Sequence, residues 1–166
     1  MMRKILGIDP GSRYTGYGLI TSDGRHSQHL VSGRLRLDQF GFCDRLGEIY
    51  KGIDALIKEF TPDEVAIEQV FMAKNAASAL KLGQARGAAI SAAVVRGYKV
   101  HEYAPRLVKQ AVVGTGGADK TQVTHMVRVL LNLKTEELTE DQADALAIAL
   151  CHAHTGDAEK RIEALS

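Results

Sequence analysis

Ile5-Leu6-Gly7-Ile8-Asp9, followed at once by Pro10-Gly11-Ser12, reads as a short buried strand that stops at a turn. Val65-Ala66-Ile67-Glu68 repeats the arrangement: an apolar, β-branched run that ends in an acid. A carboxylate at the end of a buried strand is costly to desolvate unless it is paired or bound to metal. Asp141 and Asp144 lie three apart in a segment that reads as helix, so both face one side of it. Two strand ends and one helix face, each offering acids, predict a convergent acidic site. Hard oxygen ligands of this kind suit Mg²⁺ or Mn²⁺.

Outward from the first run, residues 3–37 read as three successive strands. Thr15-Gly16-Tyr17-Gly18-Leu19-Ile20 forms the second, Ser22-Asp23-Gly24 a hairpin turn, and the alternation from Leu30 to Leu37 the third. The period then changes. Leu46, Ile49, Tyr50, Ile53, Leu56, Ile57 and Phe60 follow helical spacing, and Thr61-Pro62-Asp63 stops the helix. After the strand ending at Glu68, a long Ala- and Gly-rich helix runs from Asn75 to about Arg96. Val100 to Tyr103 is a short strand, Pro105 to Val112 is helical, and Gly114-Thr115-Gly116-Gly117 is a loop. A helix starts after Asp119, and Thr139-Glu140-Asp141-Gln142 is a capping box for the last one. The polar tail from Thr155 is expected to fray. The order β-β-β-α-β-α-β-α-α-α implies an α/β fold with one mixed sheet of five strands flanked by helices.

The chain of 166 residues is one domain long, 1–166, and can bury a single core. No apolar run is long enough to cross a membrane, and no signal peptide precedes the first strand. Cys43 and Cys151 stand far apart and read as reduced thiols of a cytoplasmic protein. A net charge of +1 does not advertise nucleic acid, but four acids gathered in one site would leave the remaining surface more basic.

Five blocks carry a resemblance. They are Gly7-Ile8-Asp9-Pro10-Gly11-Ser12, Thr15-Gly16-Tyr17-Gly18, Ala66 to Asn75, Ala79-Leu80-Lys81-Leu82-Gly83-Gln84-Ala85-Arg86-Gly87, and Asp141-Gln142-Ala143-Asp144-Ala145-Leu146-Ala147. Together, and in this order, they closely resemble the bacterial RuvC family of Holliday junction resolvases. The resemblance implies a ribonuclease H-like fold and a homodimer that nicks two opposed strands of a four-way DNA junction symmetrically, in recombination and DNA repair. It also implies sealable ends, a preference for thymine-containing cleavage sequences, and a branch-migration complex of the RuvA and RuvB type as partner. The acidic site then corresponds to Asp9, Glu68, Asp141 and Asp144, which all match in type.

Phosphodiester hydrolysis needs an activated water and charge stabilisation on the departing oxygen, which two divalent ions can supply. Mg²⁺, with Mn²⁺ as a substitute, is the expected metal, two ions per site, with Asp9 the candidate bridge. Phe71 could stack on an unpaired base, as the family places such an aromatic in this loop; by composition alone it would be a core residue. Lys109 and Lys120 are candidates for phosphate binding, the latter near a helix start. Lys74, Lys81 and Arg86 are candidates for the same basic surface, each equally readable as a plain solvated cation. His125, His152 and His154 read as surface or capping residues. The Ala/Gly-rich helix of residues 75–96 is the expected dimer contact, or else a cover for the sheet. Two other functions fit parts of the chain. One is an actin-like ATPase or kinase fragment, for which the chain is short; the other is a junction-binding protein without catalysis.

Overall fold

The computed structural model describes residues 1–70, 75–133 and 137–165, excepting the side chains of 157–164. Five strands, β1 (Arg3–Asp9), β2 (Tyr14–Ser22), β3 (Ser27–Arg36), β4 (Glu64–Glu68) and β5 (Val100–Tyr103), form one sheet in the order β3-β2-β1-β4-β5. The meander β1-β2-β3 is antiparallel, whereas β4 and β5 join parallel to β1. This is the mixed five-stranded sheet that the sequence predicts.

The helices are α1 (Phe42–Phe60), α2 (Ala76–Val95), α3 (Pro105–Val113), α4 (Lys120–Leu131) and α5 (Glu140–Leu165). Strand alternation sorts them onto two faces. Leu6, Ile8, Leu19, Val65 and Ile67 pack with α1 and with Ala85, Ala89, Ala92 and Ala93 of α2. Ile5, Ile20, Ala66 and Tyr103 pack on the other face with α3, α4 and α5. Helix α2 therefore does cover the sheet, through its alanines. Its opposite side leaves Leu80, Val94 and Val95 exposed, and no atom lies within 4 Å of where a Cβ of Gly83 or Gly87 would stand.

The predicted stops and starts hold. Thr61 caps α1 in the left-handed conformation with φ of 45°, and Pro105 occupies the first turn of α3. Thr139 and Gln142 exchange the two hydrogen bonds of a capping box, at 3.0 and 3.2 Å. Two boundaries differ from expectation. β3 begins at Ser27, because a bulge leaves Leu30 without a partner between His29 and Val31 and interrupts the alternation there. The tail does not fray at Thr155: α5 runs to Leu165, its later residues being mostly strong helix formers such as Ala, Glu, Lys and Arg. Cys43 and Cys151 are both free thiols. Among the described residues, no helix is long and apolar enough to cross a membrane.

Candidate active site

Asp9 has the same strand parity as Ile5 and Gly7, so it faces α5. Glu68 shares parity with Ala66 and faces the same way. The parallel register pairs Ile8 with Ile67, so the two acids stand side by side at adjacent strand ends. Helix α5 brings Asp141 and Asp144 to them from above.

Three glycines let it come close. A Cβ on Gly7 would lie 2.2 Å from the Ala145 carbonyl oxygen, and one on Gly16 would lie 2.2 Å from that of Asp141. On Gly18 it would lie 2.6 Å from Leu146 Cδ2. The helix therefore rests on the backbone of β1 and β2, and its first turn sits over Asp9, which pairs with Gly16. The sequence showed these glycines, but only the strand register shows that they lie under one helix.

Three of the four carboxylates, Asp9, Glu68 and Asp144, are pushed up by burial and by neighbouring acids. Burial first, then the charges of Asp144, Glu68 and Asp141, hold Asp9 well above the usual carboxylate range. Burial and the nearby Asp144 push Glu68 up to about 7. Asp144 rises to about 6, chiefly by burial, with Glu140 and Asp141 adding and Lys120 opposing. Such mutual destabilisation marks a site that awaits positive charge. A cleft of about 240 Å³ opens beside it, lined by Glu68, Asp144, Lys109 and Lys120 among others.

Of the expected DNA-binding cations, Lys109 and Lys120 lie at this cleft, and Lys120 also pairs with Glu140. Arg86 does not offer an open basic surface. Its guanidinium donates to the Glu68 carbonyl oxygen at 3.1 Å and pairs with Glu102, so it ties α2 to the end of β4 and to β5. Lys81 lies over the Phe42 ring at 5.9 Å, on the α1–α2 side of the sheet. Phe71 and Lys74 lie outside the described residues. The histidine expectation needs correcting for one residue: His125 is exposed, but His152 is 1% exposed, because its place on α5 turns it inward against the sheet.

Sequence reasoning missed Arg34. Its Nη1 lies 3.6 Å from Asp141 Oδ2, and its guanidinium stacks 4.1 Å from the Tyr14 ring centroid. The register explains the placement: Asp9, Gly16 and Arg34 form one row across β1, β2 and β3. The alternating run of β3 carried that signal, but only a correct hairpin register converts it into proximity.

The family model described as "Crossover junction endodeoxyribonuclease RuvC" matches residues 5–152. A protein of that description from Vibrio vulnificus (strain CMCP6) is 60% identical over 154 residues, covering 93% of this chain and 88% of the relative. One from Marinobacter nauticus is 58% identical over 161 residues, covering 97% and 91%. A solved structure of Thermus thermophilus RuvC in complex with Holliday junction substrate is 34% identical, covers 95% of this chain and 96% of its own, and superposes with a TM-score of 0.88. The fold is thus of the ribonuclease H-like type expected. With 148 consecutive positions (5 through 152) matched and the architecture shared, the chain belongs to the RuvC family of crossover junction endodeoxyribonucleases.

Proposed function

We propose that this protein resolves four-way DNA junctions by paired, symmetric nicks, using metal-assisted phosphodiester hydrolysis at Asp9, Glu68, Asp141 and Asp144. The observation that carries the reading is the convergence of these four acids, from two strand ends and one helix, beside a cleft that Glu68 and Asp144 share with Lys109 and Lys120. The donor set fits Mg²⁺: all hard oxygens, partly buried, and too crowded with negative charge to be comfortable alone. Bound there, a pair of Mg²⁺ ions would supply an activated water and neutralise the departing 3′ oxygen.

The chain's own residues set the stage for that chemistry. Asp9 sits between Glu68 on the neighbouring strand and the first turn of α5, the position from which one carboxylate can be shared between ions. Lys109 and Lys120 attract the scissile strand's phosphates to the cleft and lower the cost of ionising Glu68. Arg34 holds Asp141 in place and offers a further guanidinium to the backbone. Arg86 fixes the strand end that carries Glu68. Phe71, three positions after Glu68 in the sequence, stacks on an unpaired base.

Two simultaneous cuts call for two sites related by a two-fold axis, so the working form is a homodimer. Its contact is the outward side of α2, where Leu80, Val94 and Val95 are exposed beside Gly83 and Gly87. The protein acts in the cytoplasm with a branch-migration complex of the RuvA and RuvB type. The test is incubation with a synthetic mobile junction, with and without Mg²⁺. Nicked duplex products that appear only with metal support the reading; junction binding without nicking under any divalent ion makes it a binding protein instead.

A further inference from the structure

At the opposite end of β4 from Glu68, a second group of ligand-type side chains comes together. Glu64 opens β4, His101 lies on β5, and His152 descends from α5. Glu64 and Glu68 are four strand residues apart, about 13 Å. The three ligand atoms lie within 4.8 Å of one another. His152 is 1% exposed, and its Nε2 is the one buried side-chain nitrogen or oxygen among the described residues without a hydrogen-bond partner. Glu64 Oε2 is 3.3 Å from that nitrogen.

From this arrangement we infer that Glu64, His101 and His152 form a zinc site separate from the acidic cleft. Four-coordinate Zn²⁺ with bonds of about 2.0–2.2 Å has ligand–ligand edges of about 3.3–3.6 Å. The Glu64–His152 edge already has that length, and the remaining edges need to close by no more than about 1.5 Å. The His101 and His152 rings are neighbours, with centroids 4.5 Å apart.

The surroundings are those of a metal-ligating histidine. The Tyr103 hydroxyl lies 2.5 Å from His152 Nδ1, which fixes the ring and, with the proton on Nδ1, leaves the Nε2 lone pair for the metal. Arg3 Nη1 holds the other Glu64 oxygen at 2.5 Å while its Nη2 donates to the Ala153 carbonyl oxygen at 3.3 Å, so the guanidinium orients the carboxylate. Its charge opposes a cation and lowers the affinity, but the carboxylate between them compensates. Gly156 stands over the group, where a Cβ would lie 3.6 Å from His152 Nε2. Zn²⁺ suits two imidazoles and a carboxylate better than Mg²⁺ does. Bound there, it clasps β4, β5 and the middle of α5 together.

The test uses the untagged full-length chain carrying Asp144→Asn, in Mg²⁺, so that the acidic site does not report. Titration with Zn²⁺ should show one ion per chain and a rise in melting temperature, and Co²⁺ should give the intense visible absorption of a four-coordinate site. Adding His101→Gln, at a partly exposed position, should abolish both. Tyr103→Phe should weaken Zn²⁺ binding by about 10–100-fold. No Co²⁺ band in the Asp144→Asn chain, or equal Zn²⁺ affinity with and without His101, overturns the inference and leaves an ion pair only. If His101→Gln does not fold, the Co²⁺ spectrum of the parent chain decides alone.

Discussion

Replacing Glu68 by Gln should make the metal-free protein more stable while destroying its activity. Glu68 titrates near 7 instead of 4.5, because burial and the Asp144 charge oppose its ionisation. Each pKa unit corresponds to about 1.4 kcal/mol, so ionised Glu68 costs the native state up to about 3 kcal/mol, cut to about 1–2 kcal/mol by solvent screening of a partly exposed group. Between pH 4.5 and about 7 the native state binds more protons here than the unfolded chain does. Stability therefore falls as pH rises through that window and stays low above it. Glu68→Gln removes the charge at nearly constant shape. At pH 8 in EDTA the variant should melt higher by about 2–8 °C, since 1 kcal/mol moves a chain of this size by about 2–4 °C. At pH 4 the two should melt together. Mg²⁺ should raise the wild type far more than the variant, because binding to the native state alone stabilises it. Calorimetric melts at pH 4 and pH 8, with EDTA or Mg²⁺, measure all of this. A variant less stable than wild type at pH 8 without metal would refute the reasoning.

Other expectations are simpler to read. Asp9→Asn should leave junction binding intact in a mobility shift but reduce nicking by several kcal/mol of transition-state stabilisation, on the order of a thousandfold or more. Lys109→Ala and Lys120→Ala should each weaken binding and lower its salt dependence by about one phosphate contact; unchanged slopes would remove them from the DNA surface. Gly16→Ala should lower both melting temperature and nicking, since its methyl group meets the Asp141 carbonyl at 2.2 Å and forces the first turn of α5 outward. Val95→Glu should shift sedimentation from dimer to monomer without altering the melt of the monomer, whereas Ala92→Glu should unfold the chain, because Ala92 is fully buried.

Much of this was legible in the residues. The apolar runs ending at Asp9 and Glu68 are strands, the helix stops at Thr61-Pro62, and Thr139 caps the helix that bears Asp141 and Asp144. Each is a local matter of period, capping or turn chemistry. What escaped depends on relations between distant segments. Arg34 reaches Asp141 through the register of two hairpins, and the bulge at Leu30 that resets β3 has no sequence signature of its own. Arg86 looked like a free cation until its partners, the Glu68 carbonyl and Glu102, came from β4 and β5. His152 reads as a surface or capping residue because it has no metal-ligand spacing in sequence, yet its helical phase points it at Tyr103. The tail was read as frayed from its polarity, although its residues favour helix.

The way α5 sits on β1 and β2 also sets how the enzyme can fail. Side chains between a helix and a sheet can change rotamer and absorb an error; carbonyl oxygens over glycines cannot. Gly7 beneath Ala145 and Ala149 and Gly16 beneath Asp141 act as notches that admit the helix in one phase, while Gly18 makes room for the Leu146 side chain. A slip of a single residue would turn Asp141 and Asp144 by about 100° and aim both away from Asp9. The separation of the four acids is thus gauged by contact between main chains, and mutations that merely loosen the core will lower stability well before they detune the site.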